Sequence, residues 1–381
     1  MPPTRPLTPR DRDETLASVT RSLGMLIFIG ALAVLFQLAS NGLFLSPMNV
    51  SNLVFQGAYL IVLAPAMLMV MVTGRLDLSV GAIVAFTSAV LSVLLLDWNV
   101  PILFSIPAVL ILGAAIGALH GFLIAGLRIP MFITTLSGML IWRGLTMVIL
   151  KGETKAPLAT PLTEAATGFL SPIMVLGVAV AILLVIFQRY RPAISLLLRR
   201  PAFVTGVLFT IGAGVLLTSH RGIPALSFIV AIPALATTFL LERTIFGRHV
   251  YAFGAAPQAA RLSGVRTRHI LVLVYLNNGF MAALTGLIVA GRLNAVTPKA
   301  GNLFELEAIT VCLLGGASMA GGVGRIGPVF LGAILIGVLN NGLSITGIGG
   351  GVLIKAAIML AAGYADAVIA RQNTDSLAHA H

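Results

Sequence analysis

The sequence predicts an all-α, polytopic membrane protein. Of its 381 residues, 58% are apolar and only 9% are charged, where an ordinary soluble domain carries about 25% charged residues. Apolar runs of the length needed to cross a bilayer as a helix recur along the whole chain; the composition supplies at most about 11 spans, so with the runs it predicts about 10–12 transmembrane helices, including short or broken segments. The 40 glycines and 19 prolines fit helices that pack closely and break inside a membrane. A soluble globular enzyme and a disordered chain are both excluded.

Residues 1–21 mix Arg5, Arg10, Arg12 and Arg21 with Asp11, Asp13 and Glu14. A cleaved signal peptide would be shorter and free of acids, so this segment reads as a cytoplasmic leader retained ahead of a first helix at 22–40. Further runs follow at 50–73, 78–96, 101–126, 131–150, 169–187, 202–218, 223–241, 270–291, 306–320, 326–345 and 351–370. Residues 22–370 thus form one transmembrane domain, and 371–381 a cytoplasmic tail. Not every run can be a full span. The stretch 313–327, LLGGASMAGGVGRIG, is the expected break, because each glycine costs a helix interior ~1 kcal/mol.

The net charge is +12. Alternating the runs from a cytoplasmic start places 17 of the 24 basic residues in inward loops and five in outward ones. That asymmetry orients both termini inside and accounts for the charge without nucleic acid. Arg143 and Lys355 fall within runs and read as side chains that snorkel to an interface. Cys312 is the sole cysteine, so no intrachain disulfide forms.

The longest charged segment, 242–269, is too polar to span and too long for a simple turn; it reads as a cytoplasmic loop that meets a partner. No GxxxxGK[ST] loop is present, so the chain should not hydrolyse ATP alone. HExxH and GxSxG are also missing, and the six histidines show no ligand spacing; no catalytic residue, metal site or bound cofactor is predicted. LNNG occurs twice, at 276–279 and 339–342. Asn277, Asn278, Asn340 and Asn341 either bind helix to helix or line a polar pathway. In GRLDLSVG (74–81), Asp77 stands where a helix can start, as a cap, with Ser79 and Gly81 completing the motif. Glu305 and Glu307 likewise open the run that follows them. Carboxylates at helix ends rather than along a mid-membrane relay argue against proton or sodium coupling.

Several segments together resemble the permease subunits of bacterial ABC sugar importers of the ribose/xylose group. GRLDLSVGAIVAF (74–86), MFITTLSGMLIWRG (131–144), FGRHVYAFGAAPQAARLSGV (246–265) and ELEAITVCLLGGASMAGGVGRIGPVFLGAILIGVLNNGLSI (305–345) match that family's segments in order. The extra pair of runs at 169–218 and HRGIP at 220–224 look most like the xylose-type permease. The resemblance implies an inner-membrane subunit that pairs with a second copy, with cytoplasmic ATPase subunits carrying ATP and magnesium, and with a periplasmic sugar-binding protein. It also implies a cytoplasmic coupling helix at Gln258, Ala259, Ala260, Arg261 and Gly264, where Gln258 replaces the family's usual Glu.

Three rivals are weighed against this reading. A secondary carrier would transport without an ATPase. A membrane-embedded enzyme would need acid, base or metal ligands clustered at one face. The same permease fold could also carry a non-sugar cargo. Together with membrane lipid, the partners expected are a second permease, the ATPases and the binding protein.

Overall fold

A computed structural model describes residues 9–158, 160–171 and 221–378. Thirteen α-helices follow in chain order among them: α1 Pro9–Ala39, α2 Pro47–Val72, α3 Val80–Ser92 with a π-helical turn Val93–Asp97, α4 Ile102–Ala125, α5 Met131–Leu150, α6 Thr160–Thr167, α7 Ala225–Arg243, α8 Ile245–Ala255, α9 Pro257–Leu262, α10 Thr267–Leu293, α11 Phe304–Leu314, α12 Ile326–Thr346 and α13 Gly351–Ala378. Nine of the described helices are long and apolar enough to cross a membrane. The predicted runs at 169–187 and 202–218 lie almost wholly outside the described residues. The run at 306–320 is not a span. It becomes the short α11 and then a glycine turn, and α12 starts only at Ile326, as the glycine content predicts.

Burial separates a core from a periphery. The most apolar windows of α2, α3 and α10 are each 67% buried, against 6% for α13. Such a gradient fits outer helices whose apolar side chains meet lipid. The core helix α2 packs on α7, α10, α11 and α12, while α10 packs most closely on α4.

Glycine makes that last contact possible. Gly113, Gly117 and Gly121 recur every fourth residue on α4, which places them on one helical face. A Cβ on Gly113 or Gly117 would overlap α10, and one on Gly121 would lie 2.7 Å from the Cα of Val272. Across the interface, a Cβ on Gly279 would meet the Gly117 backbone at 2.8 Å. Small residues let two backbones approach in a setting where lipid removes the ordinary hydrophobic drive.

The chain breaks twice in a related way. Val72-Thr73-Gly74-Arg75-Leu76-Asp77 ends α2, and Val289-Ala290-Gly291-Arg292-Leu293-Asn294 ends α10. The two breaks enter from opposite ends of the bundle. Residues 294–303 share their end with segment 151–171, because Lys155 and Val296 exchange backbone bonds of 2.9 Å. A two-residue pairing of Phe169–Leu170 with Ile223–Pro224 starts α7 at that same end. The other end carries α8, α9 and, among the described residues, a concentration of arginines that includes Arg75, Arg128, Arg261, Arg266 and Arg268; we call it the basic end.

Here α8 meets both the end of α2 and the turn that precedes α12. Gly322 N donates to Val72 O at 2.8 Å. A Cβ on Gly254 would overlap Val72 O and come within 2.7 Å of Gly322 N. Gly322 takes φ +74°, a left-handed conformation that L side chains resist.

Replacing Gly117 by Val should push α4 from α10 and cost about 2 kcal/mol, seen as a lower thermal midpoint in detergent. Gly144→Ala, where a Cβ meets nothing within 4 Å, should leave the midpoint unchanged or raise it, since alanine suits a helix interior better by ~1 kcal/mol. Equal effects from both would remove the glycine-packing argument.

Candidate functional site

The first break carries a buried polar chain into the bundle interior. Asp77 is completely buried. Its Oδ1 accepts from Ser79 N at 2.9 Å and from Ser79 Oγ at 2.5 Å, and its Oδ2 accepts from the Asn278 amide at 2.9 Å. Ser79 Oγ lies 3.2 Å from His120 Nδ1, and Trp142 Nε1 donates to His120 Nε2 at 3.2 Å. Because the indole can only donate, Nε2 accepts. In the neutral ring Nδ1 then holds the proton and gives it to Ser79, whose hydroxyl is free to donate to Asp77. The carboxylate therefore does more than the cap expected of it: it joins α3, α4, α5 and α10. The N-cap position itself belongs to Ser79.

The second break reaches the start of α3. A Cβ on Gly81 would overlap both Gly301 O and the Glu305 carboxylate, so glycine is required where α3 begins. Arg143 does not snorkel. Its guanidinium turns inward and donates to Ala300 O at 2.7 Å, Pro298 O at 3.3 Å and Gly301 O at 3.4 Å. Those carbonyls belong to a non-helical segment that pairs only Gly301 O locally, from Phe304 N at 3.3 Å, and three from one loop suit a five-donor cation. Asn294, at the start of this break, accepts from Leu158 N at 2.9 Å and Thr163 Oγ1 at 3.1 Å.

Lys355 is also tied inside. Its Nζ pairs with Glu307 Oε1 at 2.6 Å. The Tyr59 hydroxyl donates to Glu307 Oε2, Asn340 Nδ2 donates to the Tyr59 hydroxyl at 3.2 Å, and the Tyr59 ring stacks on Phe304 with centroids 3.9 Å apart. This cluster joins α2, α11, α12 and α13.

The two LNNG motifs divide their labour alike. The second asparagine of each is buried and interlocked: Asn278 with Asp77, and Asn341 with Asn49 at 2.7 and 3.1 Å and with Gln56 at 3.2 Å. The glycine of each accommodates a neighbour, Gly279 the backbone of α4 and Gly342 the ring of Phe36. The first asparagines, Asn277 and Asn340, are only partly buried. Two amide atoms of successive residues, Asn277 Nδ2 and Asn278 Oδ1, have no hydrogen-bond partner among the described residues.

At the basic end, α9 splits into two faces. Ala260 is buried against Ala125, Phe253 and Leu271, while Gln258, Ala259, Arg261 and Gly264 are exposed. Leu262 is 90% exposed, an apolar knob beside them that the sequence reading passed over. Gly264, at φ +84°, makes the turn after α9. The Tyr251 hydroxyl of α8 donates to Gly324 O at 2.7 Å. Burial first, then Glu242, pushes its phenol up to about 12. The raised value contributes stability that is complete below pH ~10 and lost as pH rises toward 12, so the phenol stays a donor at neutral pH.

Among the described residues, clefts open at both ends of the bundle. One of about 950 Å³ lies at the basic end, and one of about 430 Å³ at the opposite end, where Ser51, Asn52, Phe55, Phe169, Arg221 and Arg292 line it. No group of three or more metal-ligating side chains occurs among the described residues.

Asp77→Ala would strand three donors in a buried site. At about 1–3 kcal/mol per unmade bond, thermal unfolding in detergent should show a loss of about 3 kcal/mol or more. An unchanged midpoint would show that the chain does not hold these helices together.

Comparison with known proteins matches residues 49–363 to a family described as the permease component of branched-chain amino acid transport systems. The chain is similar to the xylose transport system permease protein XylH of Haemophilus influenzae, 37% identical over 84% of this chain and 88% of the relative. Its counterpart in Escherichia coli is 33% identical over 93% and 94%. The ribose import permease protein RbsC of Escherichia coli is 33% identical over 92% and 95%. No solved structure matches the chain.

Proposed function

The chain belongs to this family of transport-system permease components, and from that premise we propose that it is the membrane-spanning subunit of an ATP-driven sugar importer carrying D-xylose or a similar pentose. The observation that carries the reading is similarity over 88% and 94% of the length of two proteins named as xylose permeases. A ribose permease at 33% identity makes ribose the competing cargo. The subunit lies in the bacterial inner membrane with its basic end and both termini in the cytoplasm, as the asymmetry of Lys and Arg supports. It is not itself an enzyme. ATP and magnesium bind a separate ATPase, a periplasmic protein delivers the sugar, and a second copy of this chain completes the pathway.

Gln258, Ala259, Arg261 and Leu262 form the face that docks on the ATPase; Ala260 and Gly264 shape and anchor it. Movement of α9 passes to α8, which touches the end of α2 and the turn before α12 through Gly254, Gly322 and Tyr251. Both of these segments lead into the core helices. Among the buried polar atoms without a hydrogen-bond partner, the amide atoms of Asn277 and Asn278 are the ones we assign to sugar hydroxyls. Their small number suits a cargo that must also leave, and affinity then resides in the binding protein.

Two experiments test these assignments. In proteoliposomes with the ATPase and binding protein, Leu262→Glu should cut xylose uptake about tenfold or more, as loss of an interface hot spot does, with the thermal midpoint of the permease unchanged. Normal uptake would remove α9 as the coupling element. Asn277→Leu should slow uptake while ATPase docking persists, and a rate equal to wild type would take that amide out of the pathway. A panel of xylose, ribose and arabinose decides the cargo; preference for ribose would overturn the xylose assignment and keep the importer.

A further inference from the structure

The cleft of about 950 Å³ at the basic end has a chemistry that sugar transport does not explain. Arg75, Arg128, Arg261, Arg266, Arg268 and His269 line it, and no carboxylate does. These side chains come from four separate places: the break after α2, the α4–α5 turn, α9, and the start of α10. Ion pairs to carboxylates are absent for all five guanidiniums among the described residues. Orientation in the membrane explains basic loops, but it does not make them converge on one concavity. A neutral pentose gains little from five cations. An anion does, and arginine is the side chain suited to phosphate.

The rest of the lining shows which anion. Its floor includes apolar Ile124, Ala125, Phe253 and Leu271, which belong to α4, α8 and α10. A few residues away, Phe122, Leu127 and Phe132 are 52%, 58% and 60% exposed on the outer helices α4 and α5 and the turn between them. An anionic head beside a lipid-facing apolar wall calls for an amphiphile. The cleft is also distinct from the proposed docking face, since Gln258, Ala259 and Leu262 lie outside its lining and only Arg261 is shared. We propose that this cleft binds the headgroup of an anionic inner-leaflet phospholipid, its phosphate among the arginines and its acyl chains along α4 and α5. A lipid held there bridges the α4–α5 turn to the α9–α10 turn and so braces the coupling segment. Basic pockets between helices at the cytoplasmic face are suited to such headgroups.

The full-length permease in neutral detergent tests this by thermal shift with added phosphatidylglycerol, phosphatidylcholine or inorganic phosphate. Phosphatidylglycerol should raise the midpoint and phosphatidylcholine should not. The triple variant R128Q/R266Q/R268Q should need about tenfold or more phosphatidylglycerol for the same shift. The double variant R243Q/R248Q, which removes basic-end charge outside the cleft, should respond as wild type. Should the triple variant not fold, R128Q alone gives the same comparison, and R128K should restore the response. An equal response in wild type and cleft variants overturns the proposal. So does a response shared by phosphatidylcholine, or one reproduced by inorganic phosphate, which would assign the cleft to a soluble anion. Absence of any lipid effect, with weaker ATPase binding in the triple variant, would assign it to the protein partner instead.

Discussion

A backbone that leaves its helix inside an apolar bundle must find partners there, because no water is at hand to supply them. The structure meets this constraint twice, with opposite charges. At the break after α2, the Asp77 carboxylate collects donors: the Ser79 N–H, the Ser79 hydroxyl and the Asn278 amide. At the break after α10, the Arg143 guanidinium collects carbonyls of Pro298, Ala300 and Gly301. The two breaks then lie against each other through Gly81 and Gly301. Arg143 complements carbonyls that its break exposes, Asp77 takes one exposed N–H together with two side-chain donors, and the helices that supply them are thereby fixed in place.

The same breaks give the fold its mechanical continuity. A long straight helix transmits motion as a rod, whereas an interrupted one has a joint. Here the joint after α2 sits on α8 at one side and on the Asp77 chain at the other. Val72 O accepts from Gly322 N, and Gly254 leaves the space that brings α8 there. From the exposed face of α9 to the interior amides of α10, every step is a direct contact or a hydrogen bond. Contiguity alone does not establish coupling, which is why α9 is the place to perturb.

Much of this was legible in the sequence, because bilayer crossing and helix breaking are local properties. Nine apolar runs became long helices, and the glycine-rich stretch 313–327 broke where its composition said it would. What escaped was relational. Arg143 within an apolar run looks the same whether it snorkels or binds carbonyls; only residues 298–301, folded back from more than 150 positions away, decide it. Lys355 is the same case, with Glu307 as its partner. Asp77 could be read as a cap because capping is local, but its links to His120 through Ser79 and to Asn278 are not. The four asparagines could not be sorted from LNNG alone. Two signals were present and unread: the four-residue glycine spacing at 113, 117 and 121, and the repeated V-x-G-R-L-[DN] at 72–77 and 289–294.

The placement of charge also bears on where the energy for transport comes from. An ion-coupled carrier needs an ionisable group that can exchange its proton or cation during the cycle. Asp77 is engaged by three donors and Glu307 by Lys355, Tyr59 and Asn340. Freeing either would strand several buried polar groups at once, at about 1–3 kcal/mol each. Of the buried carboxylates among the described residues, only Glu305 keeps an oxygen without a hydrogen-bond partner, and that oxygen is pressed against the start of α3. Carboxylates so engaged serve as structural ties, and a cycle that left them in place would have to be driven from outside the membrane domain. A polar, exposed segment at the basic end, joined by contact to the break after α2 and to the turn before α12, is where such a drive would enter.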